Sequence, residues 1–189
     1  MLVRIETKDS VRKRMLTLMQ KQKKEDRLKK SRLIADKLFA LGEFTGVHLV
    51  LFYASFDGEV DTFEMMKQAQ RIGKTIALPI IIKEEKRLTP SRIENLDKEL
   101  AVGPYGVKQP INDYWRPVEL NHIELVIVPG IAFDKRNNRL GRGAGYYDLF
   151  LKTLSKDTPS IGLAFDFQLL SSLPYQKGQD VPVTRVITN

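Results

Sequence analysis

The chain opens on a helical pattern of apolar positions. From about Lys8 to Leu41, the residues Val11, Met15, Leu18 and Met19 recur at three- and four-residue spacing, followed by Leu28, Ile34, Leu38 and Leu41. That is the period of one buried helical face. The lysine-rich stretch Lys21–Lys24 interrupts it, so two helices are predicted, the second closed by Gly42 and Gly46. The period then changes. Val47–Tyr53 is a short, near-continuous apolar run bounded by glycine, the mark of a strand buried on both faces. Lys74–Ile82 and Ile123–Val128 repeat that mark. Between the first two runs, Asp61–Ile72 predicts a helix presenting Phe63, Met66, Ala69 and Gln70, with Asp61-Thr62 as its cap. The region Lys83–Pro117 holds four prolines and no sustained period, which predicts turns and short strands. After a glycine-rich segment, Tyr146–Leu154 predicts a helix, and Ser160–Phe165 and Arg185–Thr188 predict two last strands.

Helices alternating with buried strands argue for an α/β fold with a mainly parallel sheet flanked by helices. The 189 residues, with neither an internal repeat nor a low-complexity tract, are expected to form one domain over 1–189. The sequence has no cysteine, which excludes a disulfide framework, a thiolate metal site and a cysteine nucleophile. His48 and His122 lack metal-ligand spacing and are expected to be structural. The apolar runs VLFYA, LPIII and ELVIVPGIAF are too short to span a bilayer, and the first residues lack a signal-peptide core. The expectation is a soluble, cytoplasmic protein with no membrane association; a monomer is expected, with an oligomer left open.

Net charge is concentrated near one end of the sequence. Residues 1–32 contain twelve Lys/Arg against four Asp/Glu, while the remaining 157 residues contain nineteen of each. Such a segment can be a solvated helix face, a source of cations for a polyphosphate ligand, or a nucleic-acid surface. The solvated face is favoured and nucleic acid least, since no aromatics are interleaved with the basic residues.

The chemistry concentrates in VIVPGIAFDKRNNRLGRGAGYYDLFL. A buried strand ends at Pro129-Gly130, a polar excursion follows, and Gly141, Gly143 and Gly145 alternate immediately before a helix. Glycines let the main chain approach a ligand closely, and a helix start presents unpaired N–H groups that suit phosphate. Arg139 and Arg142 add guanidinium groups matched to phosphate oxygens. The spacing is neither a Walker A loop nor the Rossmann fingerprint, and a tight strand-to-helix turn remains an alternative. Asp148 could stabilise the helix start or coordinate magnesium.

NRLGRGAGYYD, preceded by PGIAFD, resembles the signature of the 5-formyltetrahydrofolate cyclo-ligase family, whose members commonly read GNRLGRGKGYYD or GNRLGRGGGYYD. Lys8 and Arg12 match the family's K-x-x-x-R, FYASFDGEVDT resembles its stretch with a substrate-binding Glu, and DVPVTRVIT resembles its HDVPVDRVIT. The resemblance implies an open sheet like that of sugar-phosphate isomerases and CoA-transferases. It also implies an enzyme that uses ATP and Mg2+ to close 5-formyltetrahydrofolate into 5,10-methenyltetrahydrofolate, so its partners would be a reduced folate and ATP.

By the same resemblance, Lys8 and Arg12 would contact the ATP phosphates, as would Arg139, Leu140, Gly141, Arg142 and Gly143. Ala144, Gly145, Tyr146 and Tyr147 would complete that wrap, with Arg142 and Tyr147 as catalytic residues. Ala54, Phe56, Glu59 and Tyr105 would line the pterin pocket together with Arg142, Gly143, Gly145 and Tyr146, and Asp148 and Asp180 would hold magnesium. The chain departs from the pattern at Ala144, where lysine is usual, and at Lys177, Gln179 and Thr184 around the second aspartate. Those last three put the metal end in question. Two other readings stay open: a non-catalytic phosphate- or nucleic-acid-binding module, and a relative of the isomerases or CoA-transferases with another substrate.

Overall fold

The break expected among the lysines is present in the computed structural model, which describes residues 6–189. Helix α1 (Lys8–Lys21) is followed directly by α2 (Lys24–Phe39). Thr7 caps α1, its Oγ1 accepting from the Ser10 N–H at 3.2 Å. Val11, Met15 and Met19 are buried, whereas Leu18 is 40% exposed. The stripe is narrow because α1 rests on a small side sheet instead of the main core. Gly42 and Gly46 do not close α2. It ends at Phe39 with Ala40 as cap, and Gly42 opens the one-turn helix α3 (Gly42–Thr45), which Gly46 caps.

Next come β1 (Leu49–Leu51), α4 (Phe63–Arg71), β2 (Thr75–Ile82) and β3 (Arg87–Ile93). Helix α4 buries Met65, Met66 and Ala69, while Phe63 is half-buried and Gln70 donates to the Ile93 carbonyl at 3.0 Å. Its start is held by Asp61, whose Oδ1 accepts from the Phe63 N–H at 2.9 Å. Thr62 instead donates to the Tyr53 carbonyl at 2.6 Å, so only half of the expected cap acts as one. Strand β3 is longer than its prolines suggested. It is the sheet's edge, where proline is tolerated, and Pro90 faces Pro79 in the register.

The remaining elements are β4 (Leu100–Val102), β5 (Lys108–Pro110), β6 (Leu125–Val128), β7 (Ala132–Asp134), β8 (Arg139–Leu140), α5 (Tyr146–Thr153), β9 (Ser160–Leu163), β10 (Leu169–Leu170) and β11 (Arg185–Ile187). The main sheet runs β11-β9-β6-β1-β2-β3, parallel throughout except for β3. This is the mainly parallel α/β architecture that the alternation predicted. The polar excursion before the glycines is ordered: β7 and β8 form a hairpin that pairs with β10 in a three-stranded side sheet.

Strand alternation divides the core. Val50, Phe52, Ile76, Leu78, Leu125 and Ile127 join α2 and α4 on one face, while Leu51, Ala77, Val126 and Val128 meet Phe150 of α5 on the other. Val11, Met15 and Met19 of α1 pack separately on Ile131, Ala132 and Leu140. That third cluster positions the site, because it seats α1 beside the glycine-rich loop, where Arg12 reaches the Gly141 carbonyl. No helix among the described residues is long and apolar enough to cross a membrane.

Candidate active site

A cavity of about 410 Å³ opens at the carboxyl ends of the central strands, where open α/β sheets bind ligands. Tyr53, Ala54, Phe56 and Glu59 come from the segment after β1, Pro79 and Ile81 from β2, Pro129 to Ile131 from the end of β6, and Gly141, Arg142 and Ala144 to Asp148 from the loop into α5. Tyr105 stands at the rim, 59% exposed. Apart from Leu140, buried with Ala132 in the α1 cluster, Gly143, which lies against Arg12, and Lys8 and Arg12 themselves, the loop and pterin-pocket residues expected from the sequence line this cavity.

At the polar end, Gly143 and Gly145 hold φ of 111° and 76°, values that ordinary side chains rarely adopt. The second makes Gly145 the left-handed cap from which α5 starts, its N–H groups facing the loop. Four cations gather there. Lys8 Nζ lies 2.7 Å from both oxygens of Asp180 and 3.2 Å from Gln176 Oε1. Arg12 Nε donates to the Gly141 carbonyl at 2.9 Å and its Nη1 pairs with Asp9. Arg142 pairs with Asp57 at 3.0 Å and with Glu59 at 3.2 Å, its guanidinium 4.1 Å from the centre of the Phe56 ring.

Arg139 is the most constrained of the four. Its side chain is 3% exposed, and Nη2 is 2.9 Å from Asp148 Oδ1. That contact lacks hydrogen-bond geometry, and neither Nη2 nor Nε has a hydrogen-bond acceptor among the described residues. Buried donors are normally satisfied, and a charged group left without an acceptor is costly. An anion in the cavity would supply what they lack.

At the apolar end, Glu59 is 6% exposed and accepts from the Phe56 N–H at 3.2 Å. Burial raises its carboxyl to about 7 in spite of the opposing pull of Arg142. Tyr147, in the first turn of α5, has its hydroxyl pushed up by burial and then by the charge of Glu59. Tyr146 shares a 3.4 Å contact between hydroxyls with Tyr105, and that bond, ahead of burial, raises it to about 12.

Asp148 and Asp180 are neighbours, since Asp148 Oδ1 accepts from the Val181 N–H at 3.1 Å and Asp180 Oδ2 from the Gln176 N–H at 2.7 Å. Each carboxylate also faces a cation, and no group of three His, Cys, Asp or Glu residues able to hold a metal occurs among the described residues. Two hard oxygen ligands still fit magnesium, which is commonly held by one or two carboxylates together with substrate phosphates. Thr184 ties β9 to the approach of β11, its Oγ1 accepting from the Ser160 N–H at 3.0 Å and its own N–H donating to the Ser160 carbonyl at 2.8 Å. Lys177 and Gln179 are exposed.

The sequence reading missed Asp57, the second partner of Arg142, although Asp57-Gly58 is a turn dipeptide. It also missed the apolar wall of Pro79, Ile81, Leu88 and Val107, which carries no signal beyond ordinary apolar residues. Beyond Lys8 and Arg12, most of the basic residues of α1 and α2 lie exposed, as a solvated face would. Both histidines are exposed and neither lines the cavity.

The model of the 5-formyltetrahydrofolate cyclo-ligase family matches residues 4–189. The chain is 33% identical to the 5-formyltetrahydrofolate cyclo-ligase of Escherichia coli K12 over 149 residues, 75% of this chain and 78% of that one. Against the mouse (Mus musculus) 5-formyltetrahydrofolate cyclo-ligase it is 28% identical over 172 residues, 86% and 84% of the two chains. It superposes on the NMR structure of Aquifex aeolicus 5,10-methenyltetrahydrofolate synthetase with a TM-score of 0.82 and 30% identity, covering 96% of this chain and 89% of that one. The 5,10-methenyltetrahydrofolate synthetase from Mycoplasma pneumoniae, 23% identical, shares the fold with a TM-score of 0.76 over 95% of this chain and 97% of that one.

Proposed function

The chain belongs to the 5-formyltetrahydrofolate cyclo-ligase family, and on that premise we propose that it converts 5-formyltetrahydrofolate to 5,10-methenyltetrahydrofolate using ATP, with release of ADP and phosphate. The protein is an enzyme of that family. One observation carries the ATP half of the reading: Arg139 is buried in the cavity wall beside the glycine-rich loop with two N–H groups lacking acceptors. Phosphate oxygens are the natural acceptors for such a group.

The formyl oxygen on N5 is a poor leaving group. It attacks the γ-phosphorus, and the bond to ADP breaks. N10 then attacks the formyl carbon and loses its proton, and the carbon–oxygen bond breaks to free phosphate. The protein has to align the two ligands and balance charge, and needs no nucleophile of its own. Lys8, Arg12, Arg139 and the first N–H groups of α5 hold the phosphates. Glu59 accepts from adjacent N–H donors of the pterin, beside Ala54, Phe56 and Tyr105. Arg142 joins the two ends, since it reaches from the loop to Glu59, and there it meets charge developing on the transferred group. Tyr147 is held protonated by its surroundings and so acts as a donor at neutral pH. Asp148 and Asp180 would hold magnesium, which when bound offsets phosphate charge.

The test mixes the purified protein with 5-formyltetrahydrofolate and Mg-ATP and follows the methenyl-folate absorbance band, with ATP omitted as control. Growth of the band only with ATP is expected. No growth, from folded protein, would reject this reaction.

A further inference from the structure

The expected phosphate cations come with their own counter-charges. Lys8 faces Asp180, Arg12 faces Asp9, Arg139 faces Asp148, and Arg142 faces Asp57 and Glu59. Four cations therefore meet five carboxylates, and a triphosphate brings several further negative charges to the same place. These groups alone leave the site without net positive charge.

The turn between β2 and β3 supplies it. This turn is closed by the Lys86 N–H donating to the Lys83 carbonyl at 3.1 Å, and it reaches across the cavity to the glycine-rich loop. Lys86 Nζ lies 3.8 Å from the point where a Cβ on Gly145 would sit, over the start of α5. Of the two acids of the turn, Glu85 pairs with Arg87 at 2.8 Å, whereas the charge of Glu84 acts on Tyr146 beside the loop. Lys83 lies over the Tyr105 ring at 4.9 Å. Among the described residues Lys86 pairs with no carboxylate.

Its backbone adds an independent observation. Lys86 holds φ of 50°, where glycine or asparagine would be less strained. Four non-glycine residues among those described have positive φ, namely Asp57, Lys86, Tyr105 and Asn137. Three of them stand around this cavity: Asp57 grips Arg142, Tyr105 forms the rim, and Lys86 overhangs Gly145. Strain of this kind persists where the surroundings fix it and gathers at binding sites.

We propose that Lys86 is a phosphate-contacting residue of this site, reaching from the β2–β3 turn over Gly145 to meet the terminal phosphates of a nucleoside triphosphate. The proposal rests on the ATP-dependent reading above and names a cation that no motif in the sequence marks. It predicts a contact specific to the outer phosphates, since the ammonium approaches the loop and the start of α5.

The experiment compares Lys86→Gln, Lys86→Arg and a distant charge control, Lys98→Gln, with the unaltered protein, each checked for folding by thermal unfolding. Calorimetry gives the affinity for an imido-bridged, non-hydrolysable ATP analogue and for AMP, and the absorbance assay gives the KM for ATP and for folate. Lys86→Gln is expected to weaken the analogue and raise the ATP KM at least fivefold, leaving AMP affinity and folate KM within twofold. Lys86→Arg should recover analogue affinity to within threefold of the unaltered protein, and Lys98→Gln should change nothing beyond twofold. Analogue affinity and ATP KM within twofold in Lys86→Gln, or equal weakening of analogue and AMP, would overturn the proposal while the ligase reading stands. An inactive protein that still binds the analogue through Lys86 would sink the ligase reading and keep this one. A protein that binds no nucleotide sinks both.

Discussion

Replacing Glu59 by glutamine should weaken folate binding and yet strengthen the fold above neutral pH. The carboxylate is 6% exposed and its carboxyl is raised to about 7 by burial, which outweighs the attraction of Arg142. Glutamine keeps the shape but offers one acceptor and one N–H2 where the ionised acid offers two acceptors. One charge-assisted hydrogen bond to the pterin is lost, and a donor faces a donor. A loss of about 2–3 kcal/mol raises the folate KM roughly 30- to 150-fold at pH 8.

The pH dependence follows from the same group. If only the ionised form binds, the folate KM of the unaltered enzyme rises about tenfold between pH 8 and pH 6, as the acid takes up its proton. The glutamine variant stays flat in that window. Stability runs the other way. Between the ordinary glutamate value of 4.5 and about 7, the folded chain keeps a proton that the unfolded chain has lost, so this group's contribution falls as pH rises. Ionised Glu59 thus costs about 3 kcal/mol above pH 7, a cost the variant lacks while Arg142 keeps Asp57. Steady-state absorbance assays at saturating ATP and thermal unfolding at pH 5.5 and 8 measure both effects. A variant KM within threefold of the original, or an original KM that is flat from pH 6 to 8, would refute the reasoning.

Arg139→Gln should raise the ATP KM at least tenfold with little change in the folate KM, because the guanidinium with unpartnered N–H groups is the one proposed to meet phosphate; an unchanged ATP KM in initial-rate kinetics would reject that role. Gly162→Ala should destabilise the fold, since its Cβ would lie 2.4 Å from the ring of Phe133, itself fully buried. Overpacking of this kind costs about 1–3 kcal/mol, a fall of several degrees in Tm by calorimetry. Gly130→Ala meets the same ring at 2.4 Å from the other side and should behave alike.

The sequence carried most of the architecture because apolar spacing reports burial directly. The helix break at Lys21–Lys24 and the buried strands around Val50, Leu78 and Val126 were legible for that reason. Strand β3 was hidden because Pro90 forbids a central strand and only topology puts it at the edge. The loop from Arg139 to Asp148 was legible through its glycines and arginines. The groups that meet that loop from other parts of the chain were not: Asp57 and Lys86 stand in left-handed turns, and the pairing of Asp180 with Lys8 spans 172 positions of chain. Local composition does not encode which turn overhangs which loop.

That last pairing bears on synthesis. Strand β1, at the centre of the sheet, is made early, but its neighbour β6 and then β9 and β11 follow only as the chain lengthens. Lys8 leaves the ribosome long before Asp180, and helix α1 can find its seat only after Ile131, Ala132 and Leu140 exist. A nascent chain therefore carries an exposed apolar stripe on α1 for most of its synthesis and completes the proposed nucleotide site only near the end. Chaperone capture should favour that stripe, and nucleotide should rescue only chains elongated past Asp180.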